Sequence, residues 1–349
     1  MKKTYRLLQL ALLAAACACC LPLRAQDVHL SQFYETPLMR NPALAGIFTG
    51  DVRVQFVHRN QWGWTGYPYQ TSVISAEYKS SVGHDNDFLT TGLQAYYDDA
   101  GSTHLTTAEL MPVINYHKSL DQSRNSYLSM GFMVGMVSKY FNLSDLTFDS
   151  QYANGIYTPG APSGEAFTTI NKTFLDIATG ISYNSAVGEK GNFFIGMGAW
   201  HLNQPQESFK NQDIRLQTKW ELNGGLHVPV GPSTDMIAEV NYLRQGDYTE
   251  TQLGVLFNYD LSDYIPGSKA ALNNRMAVGL GGFLRWNDAF IPVVKLTYHN
   301  IEVSASYDVN ISRLKSSSLG QGGYEISVAY KGFLSQASEA LKQVLCPRF

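Results

Sequence analysis

Charge is scarce in this chain. Lys, Arg, Asp and Glu make up 16% of its 349 residues, against about 25% in an average soluble protein. The basic residues, 26 against 29 acids, are scattered. No cationic run exists to hold a nucleic-acid backbone, so nucleic acid is excluded as a partner. Cysteine is scarce too: Cys17, Cys19 and Cys20 lie near the start and Cys346 near the end. The body of the chain therefore has no pair to form a disulfide. Beyond Leu21 no apolar run approaches the ~18 residues that a membrane-spanning helix needs. Hydrolase, zinc-protease and phosphate-loop motifs are missing, and the eight histidines show no metal-ligand spacing. No catalytic, cofactor-binding or metal-binding residue is assigned, and no enzymatic activity is expected. The pair Asp98-Asp99 and the run His84-Asp-Asn-Asp87 read as solvated turns with at most weak affinity for a cation.

What is present points to extended structure. Hydrophobic residues reach 44%, which supports a sizeable core and argues against disorder. Aromatics are 12%, led by 21 Tyr and 17 Phe, beside 30 Gly. Low charge with abundant Tyr and Gly fits β structure, with a membrane as one possible solvent.

The first 25 residues read as a secretory signal peptide. Lys2, Lys3 and Arg6 precede an apolar run from Leu7 to Leu21, and the small residue Ala25 stands before Gln26-Asp27. An N-terminal anchor is the alternative, against which Pro22 and Arg24 interrupt the run. Lipoprotein processing at a cysteine is a second, but Ala14-Ala15-Ala16-Cys17 matches it poorly. Cleavage after Ala25 removes four basic residues (Lys2, Lys3, Arg6, Arg24) and no acid, taking the formal charge from −3 to −7.

Period-two alternation dominates the rest. Ile301, Val303, Ala305, Tyr307 and Val309 form one face of a strand, and Glu302, Ser304, Ser306 and Asp308 the other. The same division separates Tyr324, Ile326, Val328 and Tyr330 from Glu325, Ser327 and Lys331. Fourteen strands are expected, near 51–58, 70–79, 89–97, 103–116, 124–139, 167–183, 191–200, 217–230, 234–243, 247–258, 275–286, 290–299, 300–309 and 322–333. Many are about ten residues or longer, enough to cross a bilayer at a tilt. An even number suits a single-chain bacterial barrel.

The connections give a second test. Asn142 to Ala166 and His201 to Leu216 are long and fall at one end, whereas the turns near Asn184–Lys190, Gly231–Ser233 and His299-Asn300 are short and fall at the other. Short periplasmic turns and long outer loops are the barrel arrangement. The long stretch Asp260 to Asn274 lands on the short-turn side, which a miscounted strand would explain. Aromatic residues recur near strand ends (Tyr96, Tyr97, Tyr116, Tyr140, Tyr183, Trp200, Tyr242, Tyr259, Trp286, Tyr298, Tyr330), where an interfacial girdle would lie. A secreted β-sandwich has the same alternation, but usually with shorter strands.

The expected organisation is an all-β outer-membrane barrel of about 14 antiparallel strands over 51–333, following the signal peptide 1–25. Two segments do not read as strands. Residues 26–50, broken by Pro37, Pro42 and Gly46, suit either a plug inside the lumen or a periplasmic strap. Residues 334–349 read as a short amphipathic periplasmic helix, with Leu334, Ala337, Leu341, Val344 and Leu345 on one face. Arg59, Asn60, Gln61 and Trp62 stand just beyond the first strand, where three polar donors and an aromatic suit a plug-to-wall cluster or a ligand contact at the pore mouth.

Several runs carry a family resemblance. Gln32-Phe-Tyr-Glu-Thr-Pro-Leu-Met-Arg-Asn-Pro-Ala-Leu-Ala-Gly46 and Arg59-Asn-Gln-Trp62 are similar to the start of the PorP/SprF family of Bacteroidota. Ser306-Tyr-Asp-Val-Asn-Ile-Ser-Arg-Leu314, Gly323-Tyr-Glu-Ile-Ser-Val-Ala-Tyr330 and the closing Cys346-Pro-Arg-Phe349 extend the resemblance. The middle, roughly 85 to 290, shows only the general barrel pattern.

The resemblance implies an outer-membrane barrel of the type IX secretion system that helps secrete or retain surface proteins, including gliding adhesins. It implies two partners besides lipid: cargo with C-terminal sorting domains, and a periplasmic, OmpA-like, peptidoglycan-binding lipoprotein. The motif residues Gln32, Phe33, Tyr34, Asn41, Pro42, Gly46, Arg59, Asn60, Gln61, Trp62, Tyr307, Asp308, Cys346, Pro347, Arg348 and Phe349 are the candidates for structural or partner-binding roles. The rival expectation is a channel of the porin or fatty-acid-transporter type.

Overall fold

A computed structural model describes residues 27–83, 86–121, 123–153, 155–188, 190–262, 275–313 and 315–334. The leader expected over 1–25 lies outside these residues. So does the tail helix after Leu334, including Cys346, Pro347, Arg348 and Phe349.

Alternation drives the chain into long antiparallel strands: β1 (Val52–Gln61), β2 (Tyr69–Val82), β3 (Asp87–Ala100), β4 (Leu105–Asp121) and β5 (Ser126–Tyr140). A two-residue hairpin, β6 (Tyr152–Ala153) and β7 (Ile156–Tyr157), decorates the excursion after β5. The wall continues with β8 (Asn171–Val187), β9 (Gly191–Trp200), β10 (Lys219–Pro229), β11 (Thr234–Gln245) and β12 (Tyr248–Asp260). It ends with β13 (Met276–Arg285), β14 (Ala289–Tyr298), β15 (Ile301–Asn310) and β16 (Gln321–Gly332).

Each wall strand pairs with its neighbour in the chain, β5 pairs with β8 across the hairpin, and β1 pairs with β16 to close the sheet. The result is a closed barrel of fourteen antiparallel strands. Closure leaves no unpaired edge, which is what a β structure surrounded by hydrocarbon requires. No described helix is long and apolar enough to cross a membrane.

The two faces follow the sequence pattern. Outward positions such as Ile114, Phe132, Met136, Ile195, Leu280 and Val328 are apolar and exposed. Inward positions such as Gln55, Asn115, Asp176, Asn223, Glu239 and Ser304 are polar and buried. Most of the expected girdle residues do point out, including Tyr97, Tyr116, Tyr140, Tyr242, Tyr259, Tyr298 and Tyr330. Trp200 and Tyr96 depart from the expectation. Trp200 is buried and packs with Leu38, and Tyr96 packs against Leu30, Val57 and Val73. Both stand on the inward parity of their strands, which proximity to a strand end does not reveal.

Two further expectations are corrected. β1 runs to Gln61, so Arg59, Asn60 and Gln61 belong to the first strand instead of following it. Their pairing with both β16 and β2 persists to the last residue. The strand count is fourteen, so no miscounted strand accounts for the long connection between β12 and β13.

Candidate functional site

Much of the lumen is occupied by the N-terminal segment. Residues 27–50 run down its inside in short helical turns, Phe33–Glu35, Pro37–Arg40 and Pro42–Leu44, interrupted where Pro37 and Pro42 restart the backbone. Asp27 lies at the end of the barrel that carries the long loops, near Gln245 and His201. The chain leaves at the opposite end, where Asp51 N–H donates to Gly332 O. Segment 27–50 is therefore a plug within the barrel, and the strap alternative does not describe it.

A segment threaded through a sheet cylinder finds little of the ladder free, because each wall strand is paired on both sides. Its own backbone and charges must be met by inward side chains. The main clasp lies where β1, β13, β15 and β16 converge. Glu325 accepts the backbone N–H of Ser31 at 2.5 Å and of Gln32 at 2.7 Å, and also pairs with Arg59 at 2.5 Å. Arg59 and Arg285 each donate to Asp308, at 2.9 and 2.8 Å. Both guanidinium groups also reach the Ser31 hydroxyl. The Gln32 amide donates to Ser306 and to the Glu325 carbonyl, and its oxygen accepts from Ser304. Two cations and two carboxylates thus offset each other around one turn of the plug.

Further pairs run down the lumen. Glu35 meets Lys295 at 2.7 Å, and Arg40 meets Glu239 at 2.7 Å. Phe33 and Tyr34 pack on Phe283, the first edge-on and the second stacked. Asn41 accepts from its own Ala43 N–H and donates to Ile181 O and Asn223. The carbonyl of Ala43, directly after Pro42, accepts from Asn115 and Ser182. The wall approaches so closely here that a Cβ on Gly198 would stand 2.6 Å from Arg40 O. Lower down, Gly46 donates to Glu77, which Arg53 grips with two nitrogens, while Lys79 donates to the carbonyls of Gly46 and Phe48. Gly46 has φ of 81° and faces Thr90 and His117 with no room for a Cβ. A side chain there would be strained and would collide.

The candidates expected from sequence separate into three groups. Gln32, Phe33, Tyr34, Asn41, Pro42, Gly46, Arg59 and Asp308 all meet at the plug-to-wall contact. Gln61 and Trp62 line the cavity above it, and Trp62 packs edge-on against Tyr69. Tyr307 and its pairing partner Tyr324 face outward and are exposed, so they belong to the lipid-facing surface. Asn60 stands between inward-facing Arg59 and Gln61. Residues outside those candidates complete the site: Glu325, which lies in the resembling run 323–330, and Lys79, Glu239, Arg285 and Lys295, which lie in none. A buried charge on an inward parity was the only signal of the latter, and solvent-filled lumens carry the same pattern.

At the long-loop end the plug's first residue is clamped. His201, one residue beyond β9, bonds Asp176 at 2.8 Å and Asp27 at 2.7 Å, and Lys219 lies 3.4 Å from Asp27. Burial alone would depress the His201 pKa, but the Asp27 and Asp176 carboxylates outweigh burial and push it up to about 9. A folded pKa above the unfolded value of 6.5 gives stability that is full below about 6.5 and is lost as pH rises through about 9. The Asp27 end of the plug is therefore expected to loosen above pH ~9. Proteolysis or a fluorescent label near Asp27, followed from pH 6 to 10, checks this, and His201→Gln should flatten the profile.

Above the plug is a cavity of about 690 Å³, lined by Trp62, Tyr96, Asp98, Glu109, Trp200 and Arg285 among others. Among the described residues no cluster of His, Cys, Asp and Glu has the makings of a metal site.

Comparison with solved structures finds barrels of low similarity. A Pseudomonas aeruginosa FadL homologue is 10% identical, with TM-score 0.43, 84% of this chain and 98% of that chain covered. The KdgM porin is 10% identical, with TM-score 0.36, 80% of this chain and 98% of that one covered. The CymD monoaromatic hydrocarbon channel is 10% identical, with TM-score 0.42 and coverages of 86% and 93%. A search of curated proteins returned no match. A family model described as type IX secretion system membrane protein PorP/SprF matches residues 23–330, a span that takes in the plug and the fourteen wall strands to within two residues of the end of β16. A closed barrel with an apolar belt places such a chain in the outer membrane, and this one belongs to the PorP/SprF family of type IX secretion system membrane proteins.

Proposed function

We propose that the protein is a plugged, non-conducting component of the secretion system, aiding the secretion or surface retention of cargo proteins and adhesins. On this reading its outer loops meet cargo with C-terminal sorting domains. Its periplasmic turns and the tail 334–349 meet a peptidoglycan-binding, OmpA-like lipoprotein. The observation that carries the proposal is the plug. A passive channel has no use for a lumen in which Glu35, Arg40, Arg59, Asp308 and Glu325 are committed to ion pairs. Such pairs set one geometry for the plug, and removing one partner leaves the other buried and uncompensated.

Purification from native outer membranes tests the reading. The intact protein is expected to bring down a periplasmic lipoprotein or a surface protein, and to give no large, stable conductance in a planar bilayer. An open pore with no copurifying partner would support the channel alternative instead. Deleting 335–349 is expected to leave the barrel intact, with unchanged heat-modifiable migration, and to abolish cargo secretion. Normal secretion by the truncated protein would remove the tail from the partner-binding role.

A further inference from the structure

We infer that the cavity above the plug is a binding site for a basic side chain, lysine or arginine, of a polypeptide entering from the long-loop end. The cavity is bounded below by the plug and has both aromatic and charged walls. Its cations are all engaged. Arg59 and Arg285 are held by Asp308, Lys139 by Glu207 at 2.6 Å, and Lys219 by Asp27 and Glu221. Among the described residues, two of its carboxylates have no cation within 4 Å, although Lys139 and Lys219 stand near enough to act on them through space.

Asp98 on β3 is only 7% exposed, and among the described residues its sole hydrogen bond comes from the Thr71 hydroxyl at 2.6 Å. Glu109 on β4 is half-buried and, among the described residues, has neither an ion pair nor a hydrogen bond. Tyr96 pairs with Glu109 and Asp98 with Thr107, so the two acids are diagonal neighbours on the inward face. Such neighbours lie about 7–8 Å apart, close enough for one ammonium or guanidinium group to serve both.

The surroundings select an organic cation over a metal ion. Leu105, Val137, Phe174 and Trp200 line the cavity beside Glu109. That apolar sleeve suits the aliphatic stem of a long basic side chain, with its charged head at the carboxylates. Tyr96 adds an aromatic ring beside the head, which favours a cation further. A divalent metal would need more oxygen ligands than this wall offers. The long-loop end is the outer face in bacterial barrels, so the basic residue arrives from outside. This last point rests on the proposed role in handling surface proteins, whereas the chemistry of the site does not.

The test uses the full-length protein in detergent and the pentapeptide acetyl-Gly-Gly-Lys-Gly-Gly-amide, with binding read by calorimetry. Saturable binding is expected, lost when the lysine is acetylated and weakened at least about tenfold by Glu109→Gln or Asp98→Asn. Asp99→Asn, on the outward face beside His104, should leave affinity unchanged. Glu109→Gln removes a half-buried charge that has no ion-pair partner among the described residues, so it is expected to fold with heat-modifiable migration like the parent. Equal binding of the acetylated peptide, or full affinity in both neutral variants, would overturn the site. Cadaverine binding more tightly than the peptide would overturn a polypeptide source. A failed pull-down alongside lysine-dependent binding would count against the secretion role and leave this site standing.

Discussion

Glu325→Ala is expected to release the plug and turn a closed barrel into a conducting one. Glu325 is fully buried and holds two backbone N–H groups of the plug together with Arg59. Truncating it leaves the Arg59 guanidinium with Asp308 as its only acid, and Asp308 is already shared with Arg285. Breaking a buried pair from one side costs about 3–5 kcal/mol, because the surviving charge has lost its compensation. The wall strands keep their ladders, so the loss should fall on the plug.

The expected readings are increased single-channel conductance, protease cleavage within 27–50 and a lowered unfolding temperature. Glu325→Gln keeps an acceptor for the plug backbone and should have a smaller effect. If Glu325→Ala stayed closed and within about 0.5 kcal/mol of the parent, the clasp would lie elsewhere.

Gly46→Val should be nearly as damaging, by a different route. At φ 81° a left-handed residue with a Cβ costs about 1–2 kcal/mol, and a β-branched one is worse. The new side chain would also overlap the Thr90 hydroxyl and crowd His117, an overpacking cost of about 1–3 kcal/mol more. Gly46 N–H donates to Glu77 at 2.8 Å and Gly46 O accepts from Lys79 at 3.0 Å, so displacement would also uncouple that buried pair from the plug. Reduced accumulation of heat-resistant barrel in the membrane is the expected readout. Adding Thr90→Gly to Gly46→Ala should recover part of the loss, since it removes the Thr90 atoms but neither the close approach to His117 nor the backbone strain. A Gly46→Val protein with parental stability would mean that the plug does not seat against β3 and β4.

These two positions show how unevenly the molecule is written in its sequence. Gly46 and Pro42 were conspicuous, since they break regular structure wherever they stand. Glu325 stood in a run that carried the family resemblance, but as one acid on an alternating strand nothing there told its role from that of Glu302 or Glu77. Its partners Ser31 and Gln32 lie 294 and 293 residues away. No periodicity reaches that far. The same is true of Arg285 and Lys295, which read simply as inward polar residues of β13 and β14.

Period two was enough to establish the scarce charge, the fourteen strands and their two faces, because burial in lipid acts on each strand separately. A lipid-facing row must be apolar whatever the neighbouring strands do, so composition and alternation carry that information locally. The contents of the lumen do not work this way. A polar inward row suits water and suits a plug equally well. The choice depends on whether donors and acceptors from a dozen strands converge on one segment. Only the closed barrel brings Arg59, Arg285, Asp308 and Glu325 around Ser31 and Gln32, and only there do the few charges of the chain become a lock.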